Sequence, residues 1–171
     1  MYFLAGAVAV ACVGALWDVF TYRIPNFVTY PAILAGFLAH LIGEGPKGLL
    51  WSALGALIGG GFFLLLHLMR TMGAGDVKLM AAVGAFAGPL ASIEIMLYAA
   101  IAGGILALIV AVYKRRLRRT VNNVVDLVRF HAAVGAEVHP SLNLDNPDAL
   151  RFAYGVAILA GTLVVFVEHV R

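Results

Sequence analysis

Two carboxylates stand out by where they fall in the chain. Asp76 sits in the run Arg70-Thr-Met-Gly-Ala-Gly-Asp-Val-Lys-Leu79, a Gly-rich break between two long apolar stretches. Asp18 closes the first apolar stretch, just before Ile24-Pro25-Asn26. An ionisable side chain at the edge of a bilayer costs free energy and asks for a purpose. Two acids brought close together do not both ionise easily, so they would share a proton and titrate as a coupled pair. The ionised member can then activate water while the protonated one polarises a carbonyl, which is the chemistry of an aspartyl-type hydrolase. Each acid also has a plainer reading. Asp76, after Gly75, would cap the helix that follows it, and Asp18 would belong to the turn leading to Ile24-Pro25-Asn26.

The residues around the pair bear on the same choice. Gly73 and Gly75 permit backbone conformations and close approach that a side chain would forbid, as an active-site turn receiving an extended peptide requires. Lys78 follows Asp76 by two positions and so would not share its helix face; it reads as an interfacial, snorkelling residue, with substrate contact as the alternative. His67 reads as a packed or interface histidine, and no second ligand is in view that would make it a metal site. The single cysteine, Cys12, leaves no CxxC pair and no disulfide framework. No metal and no cofactor is expected.

These residues must be positioned by elements of a membrane protein. The chain has 63% hydrophobic and 12% charged residues with a mean hydropathy of +0.96. A water-soluble domain of this size would expose apolar surface at that composition. Apolar runs set against the roughly 20 residues that cross a hydrocarbon core give six spans. They cover about 1–17, 27–43, 48–69, 77–91, 92–113 and 151–168, the fourth and fifth parted near Gly88-Pro89-Leu90-Ala91-Ser92. The N-terminus lacks a basic region before its apolar run, which argues for a retained first span rather than a cleaved signal. Gly55/Gly59 and Gly84/Gly88 have GxxxG spacing, and Gly59-Gly60-Gly61 and Gly103-Gly104 add expected points of close helix approach.

The net charge of +3 does not point to nucleic acid, because the basic residues gather beside membrane segments, where orientation and anionic lipid account for them. Lys114, Arg115, Arg116, Arg118 and Arg119 assign their loop to the cytoplasm by the positive-inside rule. Counting back through alternate crossings puts Arg70, Lys78 and Arg23 inside, and Lys47 and both termini outside. Asp18 and Asp76 then face the cytoplasm at one membrane surface. Between Lys114 and Arg151 lies the long polar stretch. Leu117, Val121, Val124, Val125 and Val128 repeat there at helical spacing, with Arg118, Arg119, Asn122 and Arg129 turned elsewhere, as in an amphipathic helix on the inner surface. Val138-His-Pro-Ser-Leu-Asn-Leu-Asp-Asn-Pro147 is turn-rich. Asp126, His131, His139, Asp145 and Asp148 receive no chemistry. Glu94 reads as a helix-start residue, and Trp17, Trp51, Tyr22 and Tyr113 as interface anchors. The expected architecture is all-α: one polytopic membrane domain over 1–171, a bundle of about six helices with one cytoplasmic amphipathic helix.

At this point three segments resemble one family. Met72-Gly-Ala-Gly-Asp-Val-Lys-Leu79 is similar to the GxGD region of the type IV prepilin peptidases. Asp18 with Ile24-Pro25-Asn26 resembles that family's first aspartate region, and Ala153-Tyr-Gly-Val-Ala-Ile-Leu-Ala-Gly161 resembles its last span. The segments occur in the family's order and bracket most of the chain. The resemblance implies an aspartic endopeptidase of the bacterial inner membrane that removes the leader from prepilin-like proteins at the cytoplasmic face. Asp18 and Asp76 would be catalytic, with Gly73, Gly75, Lys78, Pro25 and Asn26 shaping the site or binding substrate. Its partners would be prepilin-like substrates, the lipid bilayer and components of a pilus or secretion assembly. Without paired CxxC motifs the chain resembles the short, peptidase-only branch, including the enzymes of Flp/Tad-type pili. Two other classes compete with this reading. A small transporter would place its acids near the midplane rather than at span ends, and a non-catalytic assembly subunit would have no use for the GxGD turn.

Overall fold

A computed structural model describes residues 2–135, 137–142 and 153–171. The expected turn residues Asp145 and Asp148 and the start of the last expected span lie outside the described residues. The described chain forms α1 (Tyr2–Thr21), α2 (Asn26–Leu68), α3 (Ala74–Tyr113), α4 (Leu117–Val134) and α5 (Tyr154–Val170). By length and composition α1, α2 and α3 are each able to cross a membrane, and α5 is a shorter apolar helix.

α2 and α3 are each two rods joined by the same device. At Gly45 (φ 69°, ψ −156°) and at Gly88 (φ 78°, ψ 174°) the backbone leaves the helical region for one that only glycine adopts readily. Pro46 and Pro89 follow, and proline is well suited to opening a new helix because its missing N–H would be unpaired there anyway. The chain reverses at both points. Gly48 packs against the carbonyl of His40, and a Cβ on Gly84 would lie 3.0 Å from Ser92 Oγ. Each pair is eight residues apart, roughly 12 Å along a straight helix, so neither helix is straight. The second reversal falls at Gly88, the first residue of the segment expected to part the fourth and fifth spans, because the glycine backbone sets where the chain turns.

The resulting rods pack through small residues. The limb 74–87 is the centre of the bundle: Leu79, Met80, Ala82, Val83 and Ala85 are 0% exposed. Against it lie Gly14 of α1, which meets Leu79, and Gly36 of the limb 26–44, which meets Ala85. From the limb 46–68, Gly55 meets Gly84 and Gly88, Gly59 meets Met80 and Gly60 meets Ala81. Gly161 of α5 packs on Ile95 and Ala99. Buried polar groups at these seams are satisfied by backbone carbonyls. Ser52 donates to Ala85, Ser92 to Gly88, and the His40 ring donates to the Phe86 carbonyl at 3.0 Å while stacking on Phe3. Large apolar side chains such as Ile42, Leu57, Leu68, Leu90 and Ile101 point outward, the reverse of a water-soluble fold and the pattern expected where lipid surrounds close-packed small residues. Gly61 and Gly104 do not share in the packing, since nothing lies within 4 Å of a Cβ at either. The expected contact role holds for Gly59, Gly60 and Gly103 and fails for these two, which sit on outward faces.

The contacts also order the ends. Phe3, His40, Phe86, Trp51 and Gly88 meet at one end, and Asp18, Asn26, Lys78 and Gly155 are found at the other.

Candidate active site

Asp18 lies in the last turn of α1 with its side chain buried, 5% exposed. Its Oδ2 accepts the backbone N–H of Gly155 at 2.8 Å. Gly155 is the second residue of α5, where helical N–H groups have no partner within the helix, and Ala153, which opens α5, makes no side-chain cap. Asp18 therefore caps α5 from another helix. A carboxylate in the last turn of α1 opposes the dipole of its own helix, and the amino end of α5 offsets that. The fit is close: a Cβ on Gly155 would lie 3.1 Å from Asp18 Oδ2 and 3.2 Å from Ala15 Cα.

Asp76 is the third residue of α3. The helix starts at Ala74, earlier than a cap role for Asp76 requires, so the cap position belongs to Gly73. The half-buried Asp76 carboxylate reaches back to the backbone N–H of Gly73, which is one half of a capping box. Gly73 is in extended backbone (φ −73°, ψ 146°) and neither Gly73 nor Gly75 has positive φ. Their value is close approach alone. A Cβ on Gly73 would lie 3.1 Å from Asp76 Oδ2, and one on Gly75 would lie 3.2 Å from Ile24. The residues with unusual backbone are Tyr22 (φ 52°) and Arg70 (φ 55°), where α1 and α2 end. At Arg70 the turn is a Schellman motif, with Arg70 N–H donating to His67 and Thr71 N–H to Leu66. The His67 ring then donates to the Met72 carbonyl at 2.9 Å, holding the segment that leads into Gly73.

Asp18 and Asp76 are near enough for their charges to act on each other. Tyr154 of α5 adds its hydroxyl within electrostatic reach of Asp76. That hydroxyl also donates to the Ala99 carbonyl at 3.3 Å, and the ring packs edge-on to Phe63 at 5.9 Å and against Gly103. Two residues after Asp76, Lys78 Nζ donates to Asn26 Oδ1 at 2.7 Å and stands 5.4 Å from the centre of the Tyr30 ring. Pro25 occupies the cap position of α2, and the buried Ile24 packs on Gly75. The structure thus brings together the Asp18 region, the Pro25-Asn26 turn and the Gly73-to-Lys78 segment. Gly155, Tyr154 and Tyr30 received no role from sequence reasoning. The signal for the first two was a Tyr-Gly pair at the head of the last apolar run.

The model of the type IV leader peptidase family matches residues 5–108. The chain belongs to that family. No match was found among curated proteins or solved structures. As a type IV leader peptidase the protein is a hydrolase of peptide bonds, built on helices suited to a membrane. The matched residues include Asp18, Asp76, Pro25, Asn26 and Lys78. α4 and α5 lie beyond them, although α5 supplies the N–H that Asp18 accepts.

Proposed function

We propose that this leader peptidase is an aspartic endopeptidase that cleaves the leader of type IV prepilin-like substrates, with Asp18 and Asp76 as the catalytic pair. The observation that carries the reading is that two acids from different helices, Asp18 buried and Asp76 half-buried, lie near enough to act on one another. In a low-dielectric setting such a pair holds a shared proton more readily than two full charges. One carboxylate takes a proton from water as it attacks the scissile carbonyl, and the other donates to the carbonyl oxygen. As the intermediate collapses, the first carboxyl passes the proton it took from water to the departing amine, and the second takes a proton back from the intermediate's hydroxyl as the carbonyl re-forms, restoring the pair. Gly73, where a Cβ would lie 3.1 Å from Asp76 Oδ2, keeps the space beside that carboxylate clear for an extended peptide, while Gly75 lets Ile24 pack under the turn.

The six rods are read as six membrane spans, with the reversals at Gly45 and Gly88 at one surface and the acids near the other. Arg23, Arg70, Lys78 and the run from Lys114 to Arg119 belong to the acid-bearing end, whereas Lys47 and Arg171 belong to the other. The positive-inside rule makes the acid-bearing end cytoplasmic and leaves both termini outside. In a bacterium this is the inner membrane, and the substrates would come from a pilus or secretion assembly.

The test is co-expression with a prepilin-like substrate whose processing shifts its mobility on a gel, comparing the parent with Asp18→Asn and Asp76→Asn. Both variants should insert normally and leave the substrate uncut. Cleavage by either one would remove the two-aspartate mechanism.

A further inference from the structure

Six of the chain's 12 Lys and Arg residues lie within residues 114–129: Lys114, Arg115, Arg116, Arg118, Arg119 and Arg129. Asp126 is the one acid among them. Arg115, Arg116, Arg118, Arg119 and Asn122 line an open cavity of ≈ 370 Å³, at the lower end of the range that holds small ligands. Among the described residues no carboxylate pairs with these four arginines. Arginine forks match phosphate oxygens better than lysine does.

The rest of α4 repeats one theme on its other side. Leu117, Val121, Val124, Val125 and Val128 share one stripe and are all exposed, between 41% and 64%, and no residue of α4 is buried. Among the described elements α4 meets α3 alone, the apolar helix it follows after Lys114, Arg115 and Arg116. The turn is tight, with Arg115 at φ 53° and Arg116 N–H donating to the Ala111 carbonyl. α4 therefore starts at the level where α3 ends.

We infer that α4 and the arginine turn before it form a binding surface for anionic phospholipid, with the headgroup phosphate in the arginine cavity and the valine stripe among the first acyl carbons. Charge complementarity selects this occupant. A second copy of the same surface would bring six more cations against these six. An uncharged partner would cover the valines but leave the arginines without counter-charge. Continuity with α3 sets the height, because a helix leaving a membrane span through three basic residues emerges at the headgroups.

The experiment uses the full chain reconstituted in vesicles, with Cys12→Ser and a polarity-sensitive fluorophore on Val125→Cys. In vesicles with about a third phosphatidylglycerol the label should shift to the blue and be quenched by lipids brominated on their acyl chains. In phosphatidylcholine alone it should respond mainly to a water-soluble quencher. Replacing Arg115, Arg116, Arg118 and Arg119 together by Gln should erase the difference while the label in neutral vesicles is unchanged. A label equally buried in both lipids overturns the proposal. So does burial that depends on protein density, which would mean a second copy, or release by millimolar inorganic phosphate, which would mean a free-anion site. Since the readout is depth and not cleavage, it stands or falls apart from the catalytic reading.

Discussion

The backbone N–H of Gly155 donates to Asp18 Oδ2 at 2.8 Å, so two helices 137 residues apart in the chain meet at one carboxylate. The two plain roles considered for the acids are both present in altered form. Asp18 caps a helix, but not its own, and Asp76 braces a cap position that Gly73 fills. Neither role competes with chemistry, because each leaves one carboxylate oxygen uncommitted by that contact.

Gly155→Ala keeps the N–H but sets a methyl 3.1 Å from Asp18 Oδ2 and 3.2 Å from Ala15. Cleavage should fall about 10–100-fold, the scale of a hydrogen bond to a charged group. Gly104→Ala, which meets nothing within 4 Å, is the control and should cleave like the parent. A rate series on detergent-purified protein decides it.

Lys78 and Asn26 should act as one unit. Lys78→Met and Asn26→Ala each remove the same 2.7 Å contact, so the double variant should lose little more activity than either alone. A double-mutant cycle on the cleavage rate measures the coupling, expected at about 0.5–3 kcal/mol for residues in contact. Additive losses would mean that the two residues serve separate purposes.

Gly45→Ala and Gly88→Ala should both destabilise the fold, by about 1–3 kcal/mol for a side chain in that backbone region. Gly88→Ala should be the worse, because its Cβ would also lie 2.6 Å from Trp51 Nε1, whereas Gly45 has open space. Thermal denaturation in detergent ranks them, and an equal shift would show that the Trp51 contact yields.

Neighbouring glycines separate packing from composition. Gly60→Leu should abolish accumulation of folded protein, since even a Cβ would lie 2.8 Å from Ala81. Gly61→Leu should be tolerated, because its face is open. Membrane-fraction yield and size-exclusion profile read the difference.

Chelation should leave cleavage unchanged, because the proposed chemistry needs only two carboxylates and a water. A strong loss of activity in a chelator titration, restored by one divalent ion, would show that a metal takes part.

Much of the bundle was legible in local pattern. Apolar run lengths marked the rods, Gly88-Pro89 fell in the segment expected to part the fourth and fifth spans, and the valine spacing marked α4; Gly45-Pro46 makes the same turn in the gap between the second and third runs. The clustering of the site was legible only in part. Charge asymmetry placed Asp18, Lys78 and Asp76 at one end, but the pairing of Lys78 with Asn26 depends on two limbs lying parallel, which no periodicity encodes. The link from Asp18 to Gly155 is a tertiary contact of an unpaired helix end, and Ala153 carries no capping side chain to announce it. The ends of α1 and α2 were hidden for a different reason. Tyr22 and Arg70 adopt a conformation that glycine usually signals, so composition gave no marker of where those helices stop.

The two glycine-proline reversals have a consequence for how such a chain enters a bilayer. Each joins its limbs with almost no intervening polar chain: only Glu44 and Lys47 flank the first, and no charged residue flanks the second between Lys78 and Glu94. Two closed helical hairpins, 26–68 and 74–113, can then each be delivered as a preformed pair, with at most one ion pair's worth of charge to carry to the far surface. With the acid-bearing end cytoplasmic, as proposed above, the acids would stay on the side from which synthesis began, and biogenesis would never have to drag them through hydrocarbon.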